Sequence, residues 1–211
     1  LSTTRNYTEI TGNLGGSYQI ALNTYKPFAC GIVIHPTIDA CIQLRNQHTL
    51  AAADIARIDL GVHPLVLELT GKRTPQTGLE AKFSVYFAAA LAVVRGSAGM
   101  RDFSDENTRD PVIVALRDRV VATIDPAVKE DQVQARVTLN DGRVLSRFVE
   151  HAVGSLERPM SNAELEAKAL GLMAGILPDA QARALVDLCW KVDSLPGAAA
   201  LAVAAVPPGR M

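Results

Sequence analysis

Lys26, Cys30 and His35 crowd into one short stretch, Tyr25-Lys26-Pro27-Phe28-Ala29-Cys30 followed by His35-Pro36, whose other residues are mostly apolar. A cation, a thiol and an imidazole buried without partners would each cost several kcal/mol, so they satisfy one another or face a ligand. A lysine before proline is usually a solvated surface cation, but the aromatic flanks Tyr25 and Phe28 suit Lys26 to a cleft and an anionic substrate such as a carboxylate. An imidazole at the positive end of a helix is held neutral, ready for hydrogen bonding or proton transfer, although a lone histidine there is more often structural. Cys30 has no Ser/His/Asp or Cys/His arrangement set around it, and the residues alone favour a packed core thiol.

A second cluster is Lys82-Phe83-Ser84-Val85-Tyr86, with Lys82 and Tyr86 spaced to share one helix face. It reads either as a helix start presenting Ser84, Tyr86 and free amides to an anion, or as a plain cap with Lys82 in solvent. His63 before Pro64 reads as structural, and His48 and His151 as surface residues. Glu80, Asp102, Asp105 and Glu106 could supply carboxylates, but acids before helices usually cap them. No histidine or cysteine spacing marks a metal site, and no glycine-rich phosphate loop is present.

These groups need elements to position them. Residues 18–24 suit a strand, 37–46 a helix with Pro36 in its first turn, and 55–62 a half-buried strand. Leu65 to Leu69 suits a short helix or a continuation of the preceding strand. Residues 80–95 predict one alanine-rich helix closed by Gly96, and Asp110-Pro111 opens another. Strands follow at 120–124, 133–139 and 143–149, the last two joined by the turn Asn140-Asp141-Gly142, and together they predict a half-buried antiparallel sheet. Beyond Pro159, Ser161 and Glu164 form a capping box, and helices are expected near 161–173, 178–192 and after Pro196-Gly197.

The chain has 211 residues, and its 48% hydrophobic and 20% charged composition is that of a globular domain. A net charge of −1 removes the basic surface that nonspecific nucleic-acid binding needs. Its apolar runs, such as 87–94 and 198–206, are too short to span a membrane. Three cysteines without a CxxC pair suggest free thiols and a cytoplasmic setting. Leu1 in place of methionine, with a polar opening, leads to the expectation of a piece of a longer polypeptide.

Four ordered segments carry a family resemblance: Lys26-Pro27-Phe28-Ala29-Cys30 with His35 to Ala40; Glu80 to Ser84; Phe103-Ser104-Asp105-Glu106 with Asp110-Pro111; and Leu139 to Arg143. Together they resemble the C-terminal half of the MmgE/PrpD family. That resemblance implies an α+β fold: a small antiparallel or mixed sheet with packed helices over 18–158, then helices over 159–211 that return to a larger helical domain. Residues 1–17 would link to that N-terminal helical domain. It also implies a lyase, by default a dehydratase acting on a small polycarboxylate such as 2-methylcitrate, with no obligatory metal or organic cofactor. Decarboxylation or epimerisation on the same scaffold, or non-catalytic binding of a carboxylate or partner, are the alternatives. By the same resemblance His35 and Tyr86 are the catalytic candidates, and Lys26, Cys30, Lys82 and Ser84 the substrate-binding ones. Family members commonly form homodimers. Without the N-terminal half, which supplies most acid and base groups in the family, the chain alone is expected to be inactive.

Overall fold

The computed structural model describes residues 5–209, except the side chain of Ile10. Its elements in chain order are α1 (Thr8–Thr11), α2 (His35–His48), β1 (Ile55–Val62), α3 (Pro64–Thr70), α4 (Gly78–Ala81), α5 (Val85–Arg95), α6 (Pro111–Arg117), β2 (Val120–Ile124), β3 (Val133–Leu139), β4 (Val144–Val149), α7 (Asn162–Met173), α8 (Asp179–Trp190) and α9 (Ala199–Ala204). The fold is α+β, as expected.

The four strands form one mixed sheet in the order β2-β1-β3-β4. β3 and β4 are the hairpin expected from Asn140-Asp141-Gly142; Gly142 takes φ +86°, a left-handed value that favours glycine. Of the two arrangements expected, antiparallel or mixed, the sheet takes the mixed one. β2 runs parallel to β1, Ile58 opposite Val120 and Val62 opposite Ile124, because the whole segment from α3 to α6 crosses over between them.

Alternation sets the buried face. Ile58, Leu60 and Val62 of β1 and Val133, Ala135, Val137 and Leu139 of β3 are buried; α2 packs on β3 and β4, and α5 packs on β2 and against α2. Arg57, Arg136 and Ser146 lie on the exposed side. Nearly all of α5 is buried, from Val85 to Val93, which makes it the central helix of the core. Gly96 ends it in the left-handed region.

Two expected elements differ. Residues 18–24 form no strand: Gln19–Leu22 is a 3₁₀ turn with Ile20 and Leu22 exposed. An isolated strand leaves its backbone groups unpaired, and this segment reaches no sheet edge. The helix predicted over 80–95 is split. α4 ends at Ala81, the chain bends through Lys82 and Phe83, and Ser84 restarts it as the N-cap of α5, its hydroxyl accepting from Phe87 N at 3.1 Å. Lys82 and Tyr86 therefore do not share a continuous helix face.

Beyond 159 the expectations hold locally. Ser161 and Glu164 form the capping box of α7, and α8 and α9 follow. α7 buries none of its residues completely and α8 only Ala182. Among the described residues, no helix is long and apolar enough to cross a membrane.

Candidate functional site

A cavity of about 630 Å³ opens where four segments meet: the loop Lys26–Gly31, the α4–α5 junction, the turn 99–102 after α5, and one face of α7. Backbone bonds fix the first three together. Gly31 N donates to Lys82 O at 3.1 Å and Ala29 N to Ala98 O at 3.0 Å. Asp102 shapes the turn by accepting from Gly99 N at 2.7 Å and from the Ser97 hydroxyl at 2.9 Å. Gly154 braces the loop from outside. It has φ +90°, and a Cβ there would collide with Tyr25 O and the Pro27 ring.

Most of the lining is apolar: Phe28, Leu79, Phe83, Met100 and Leu172 contribute to it. Its charged groups are Lys26, Lys82, Arg101 and Lys168 against Asp102, four cations to one carboxylate. Among the described residues none of the four cations forms an ion pair. Lys26 Nζ reaches the Cys30 carbonyl at 3.4 Å, and Lys82 Nζ lies 3.2 Å from Met100 Sδ, both weak partners for an ammonium. Arg101 donates through Nη2 to the Ala174 carbonyl just past α7. That approach depends on Gly175, with φ +71°, where any Cβ would meet the guanidinium. Like charges gathered on an apolar wall repel one another and favour an anion between them.

The residues singled out in the sequence separate into two groups. Lys26, Cys30 and Lys82 line the cavity. Burial pushes the Cys30 thiol up to about 12, against the pull of Lys26 and Lys82, so it stays protonated. His35, Ser84 and Tyr86 are not on the lining. His35 is the first residue of α2, 4% exposed, with its ring edge-on to Phe28 at 5.3 Å. Burial above all, then the charge of Lys26, lowers its pKa to about 4, with the backbone at Cys30 opposing and the Lys168 charge adding to the shift. It is neutral, as expected at a helix start, but burial rather than the helix end is the leading cause. Its Nε2 has no hydrogen-bond partner among the described residues. Ser84 is fully buried as a cap, the plainer of its two readings. Tyr86 is buried too, and the Arg73 guanidinium lies 4.6 Å from its ring centroid, a cation–π contact.

The remaining candidates are structural. His63 caps α3, its Nδ1 accepting from Leu65 N. Glu80 pairs with Lys72 at 2.6 Å, and Asp105 accepts from Gly78 N at 2.7 Å. His48 is exposed as expected, but His151 is not a simple surface residue. Its Nδ1 is buried, 3.4 Å from Asp131 and 3.8 Å from Glu157. Among the described residues no cluster of His, Cys, Asp or Glu could hold a metal ion.

Sequence reasoning passed over Arg101 and Lys168. The signal for Lys168 was present: it interrupts the apolar stripe of Leu165, Ala169 and Leu172 at helical spacing. Arg101 stood in a polar turn with nothing to distinguish it.

A one-layer mixed sheet backed by a buried helix, with a cation-lined cavity beside that helix's start, defines an α+β domain. Residues 28–192 match the MmgE/PrpD C-terminal domain, and the chain belongs to that family. It is also similar to a 2-methylcitrate dehydratase from Cupriavidus necator, 30% identical over 135 residues. That match covers 57% of this chain and 28% of the relative's length.

Proposed function

We propose that this chain supplies the carboxylate-binding wall of a dehydratase whose substrate is a small polycarboxylate of the 2-methylcitrate type. The observation that carries the reading is the set of four cations on one mostly apolar cavity, none of them in an ion pair among the described residues. Dehydration beside a carboxylate removes a carbon-bound proton and expels hydroxide. The charge that develops on the carboxylate is lowered in energy by cations already in place. Lys26 and Lys82 are suited to that work, and the apolar surface of Phe28, Phe83 and Met100 keeps the local dielectric low. His35, neutral and directly behind Phe28, is the proton carrier this chain offers. Tyr86, beneath Arg73, is offered as a second one that reaches substrate only if its side chain turns. Cys30 contributes shape, and Ser84 holds the start of α5 in register with the cavity.

The groups that complete acid–base catalysis are proposed to come from an N-terminal helical domain, with residues 159–211 packed against it. Supporting this, α7 and α8 leave an apolar groove of about 450 Å³ uncovered, formed by Leu165, Leu172, Met173, Leu185, Cys189 and Trp190. The uncovered face suits burial against further helices. The reaction is proposed to need no metal or organic cofactor, and the completed protein to be a cytoplasmic homodimer.

The test is calorimetric titration of 2-methylcitrate into the chain, alongside an assay of its turnover. The chain should bind 2-methylcitrate without turning it over, and Lys26→Gln should weaken binding at least about tenfold, the loss of one charge-assisted hydrogen bond. Binding that is indifferent to Lys26 would refute the wall. Turnover at enzyme-like rates by the chain alone would refute the placement of the remaining catalytic groups elsewhere.

A further inference from the structure

The four cavity cations stand on two different supports. Lys26 and Lys82 come from the α+β layer, from the first loop and the α4–α5 bend. Lys168 comes from the middle of α7, and Arg101, though part of the turn after α5, is bonded to the carbonyl of Ala174 at the C-terminal end of α7. Lys168 is half-buried in the apolar stripe of its helix, with Leu172 one turn further on along the cavity wall. It lines the cavity, and among the described residues no carboxylate pairs with it. An arginine has five N–H donors, and Arg101 uses Nη2 on Ala174, leaving donors for a planar partner.

We infer that Lys168 and Arg101 form a second carboxylate subsite, facing the one made by Lys26 and Lys82, so that a ligand with two or more carboxylates binds by bridging α7 and the α+β layer. This deepens the reading of the cavity as a carboxylate-binding wall and rests on it. A monocarboxylate can occupy one subsite only. A polycarboxylate engages the second intramolecularly, at high effective concentration, and so gains affinity that neither subsite has alone. Lys168 is then the residue that sets the preference for polycarboxylates. Because α7 buries none of its residues completely, the bridging ligand also adds a second tie to the α+β layer beside the Arg101–Ala174 bond.

The experiment uses citrate and acetate as probes on the 211-residue chain and its Lys168→Gln, Lys168→Arg and Lys26→Gln variants. Affinities come from calorimetry and backbone protection of 163–173 from hydrogen exchange. Lys168→Gln is expected to weaken citrate at least about tenfold while leaving acetate unchanged, with Lys168→Arg restoring most of the loss. Citrate should slow exchange in α7 of the wild-type chain and not of Lys168→Gln. Citrate affinity unchanged in Lys168→Gln but reduced in Lys26→Gln would overturn the second subsite and leave the wall reading intact. Unchanged citrate affinity in both variants, or no citrate binding by the wild-type chain, would overturn the wall reading and the second subsite with it.

Discussion

Removing a charge from the cavity should make the unliganded protein more stable, not less. Lys82→Met is the clean perturbation, because methionine keeps the aliphatic stem and roughly the volume while deleting the ammonium. Charges facing one another across a cavity of about 630 Å³ stand on the order of 10 Å apart, where like unit charges repel by about 0.4 kcal/mol in water and about 1.7 kcal/mol at an effective dielectric of about 20. Lys82 has three cations and one carboxylate as neighbours on the lining, an excess of two like charges. The groups are partly solvated, which selects the lower end of that range, about 1 kcal/mol in all. For a chain of this length that is a rise in Tm of about 2–4 °C at low ionic strength. In about 1 M salt, where the Debye length is about 3 Å, the rise should vanish. Citrate should then protect the wild type more than the variant, since the variant has lost one of its contacts. Scanning calorimetry of both proteins, at two salt concentrations with and without citrate, reads all of this. A Tm lowered by Lys82→Met at low salt, or equal citrate protection of both proteins, would refute the argument that the cavity holds mutually repelling, ligand-seeking cations.

Three further outcomes follow from the packing. Asp39, 4% exposed, accepts from Arg158 Nη1 at 2.5 Å, Gln43 Nε2 at 2.8 Å and Val153 N at 3.2 Å, so it pins the chain that leads toward α7 onto α2. Asp39→Ala should cost about 2–3 kcal/mol in chemical denaturation, below the loss at a fully buried pair because the half-exposed Arg158 regains water; a loss under about 0.5 kcal/mol would show the latch to be idle. His35, lowered to about 4 from 6.5, contributes stability that is complete above pH 6.5 and is lost as pH falls toward 4, about 3 kcal/mol in all. His35→Gln should flatten that acid limb, and an unchanged pH profile would mean the imidazole is not held neutral by the fold. Ser84→Ala removes the N-cap of α5 and should lower stability by about 1 kcal/mol, with citrate affinity reduced only through the shifted Lys82; an unaltered denaturation midpoint would disprove the capping role.

Much of this molecule is local in origin, and those parts were legible. The Asp141-Gly142 turn, the Ser161–Glu164 capping box and the apolar–polar alternation of 55–62 and 133–139 each rest on backbone preference or on neighbours a few residues away. The parallel pairing of β2 was not legible, because its partner lies across a crossover that runs from residue 63 to residue 119 and its own apolar pattern suits either direction. The bend at Lys82 was hidden by an alanine-rich run that favours unbroken helix. There the Gly31–Lys82 backbone bond and the burial of Ser84 outweigh propensity.

For the site, residue type alone marked Lys26, Cys30 and Lys82 as a group, since cations and a thiol amid apolar residues need a reason to be there. The sequence could also show that His35 begins a helix. Whether it meets the cavity or sits behind Phe28 is a question of ring packing, which spacing does not contain. The same holds for Tyr86, carried under Arg73 once the helix was broken two residues before it. Lys168 and Arg101 lie 142 and 75 positions from Lys26; the docking of α7 brings the first to the wall and the Ala29–Ala98 backbone bond holds the turn of the second beside it. Charge identity is written along the chain, but charge concentration is a distance in space, so the four-cation wall was the tertiary structure's to decide.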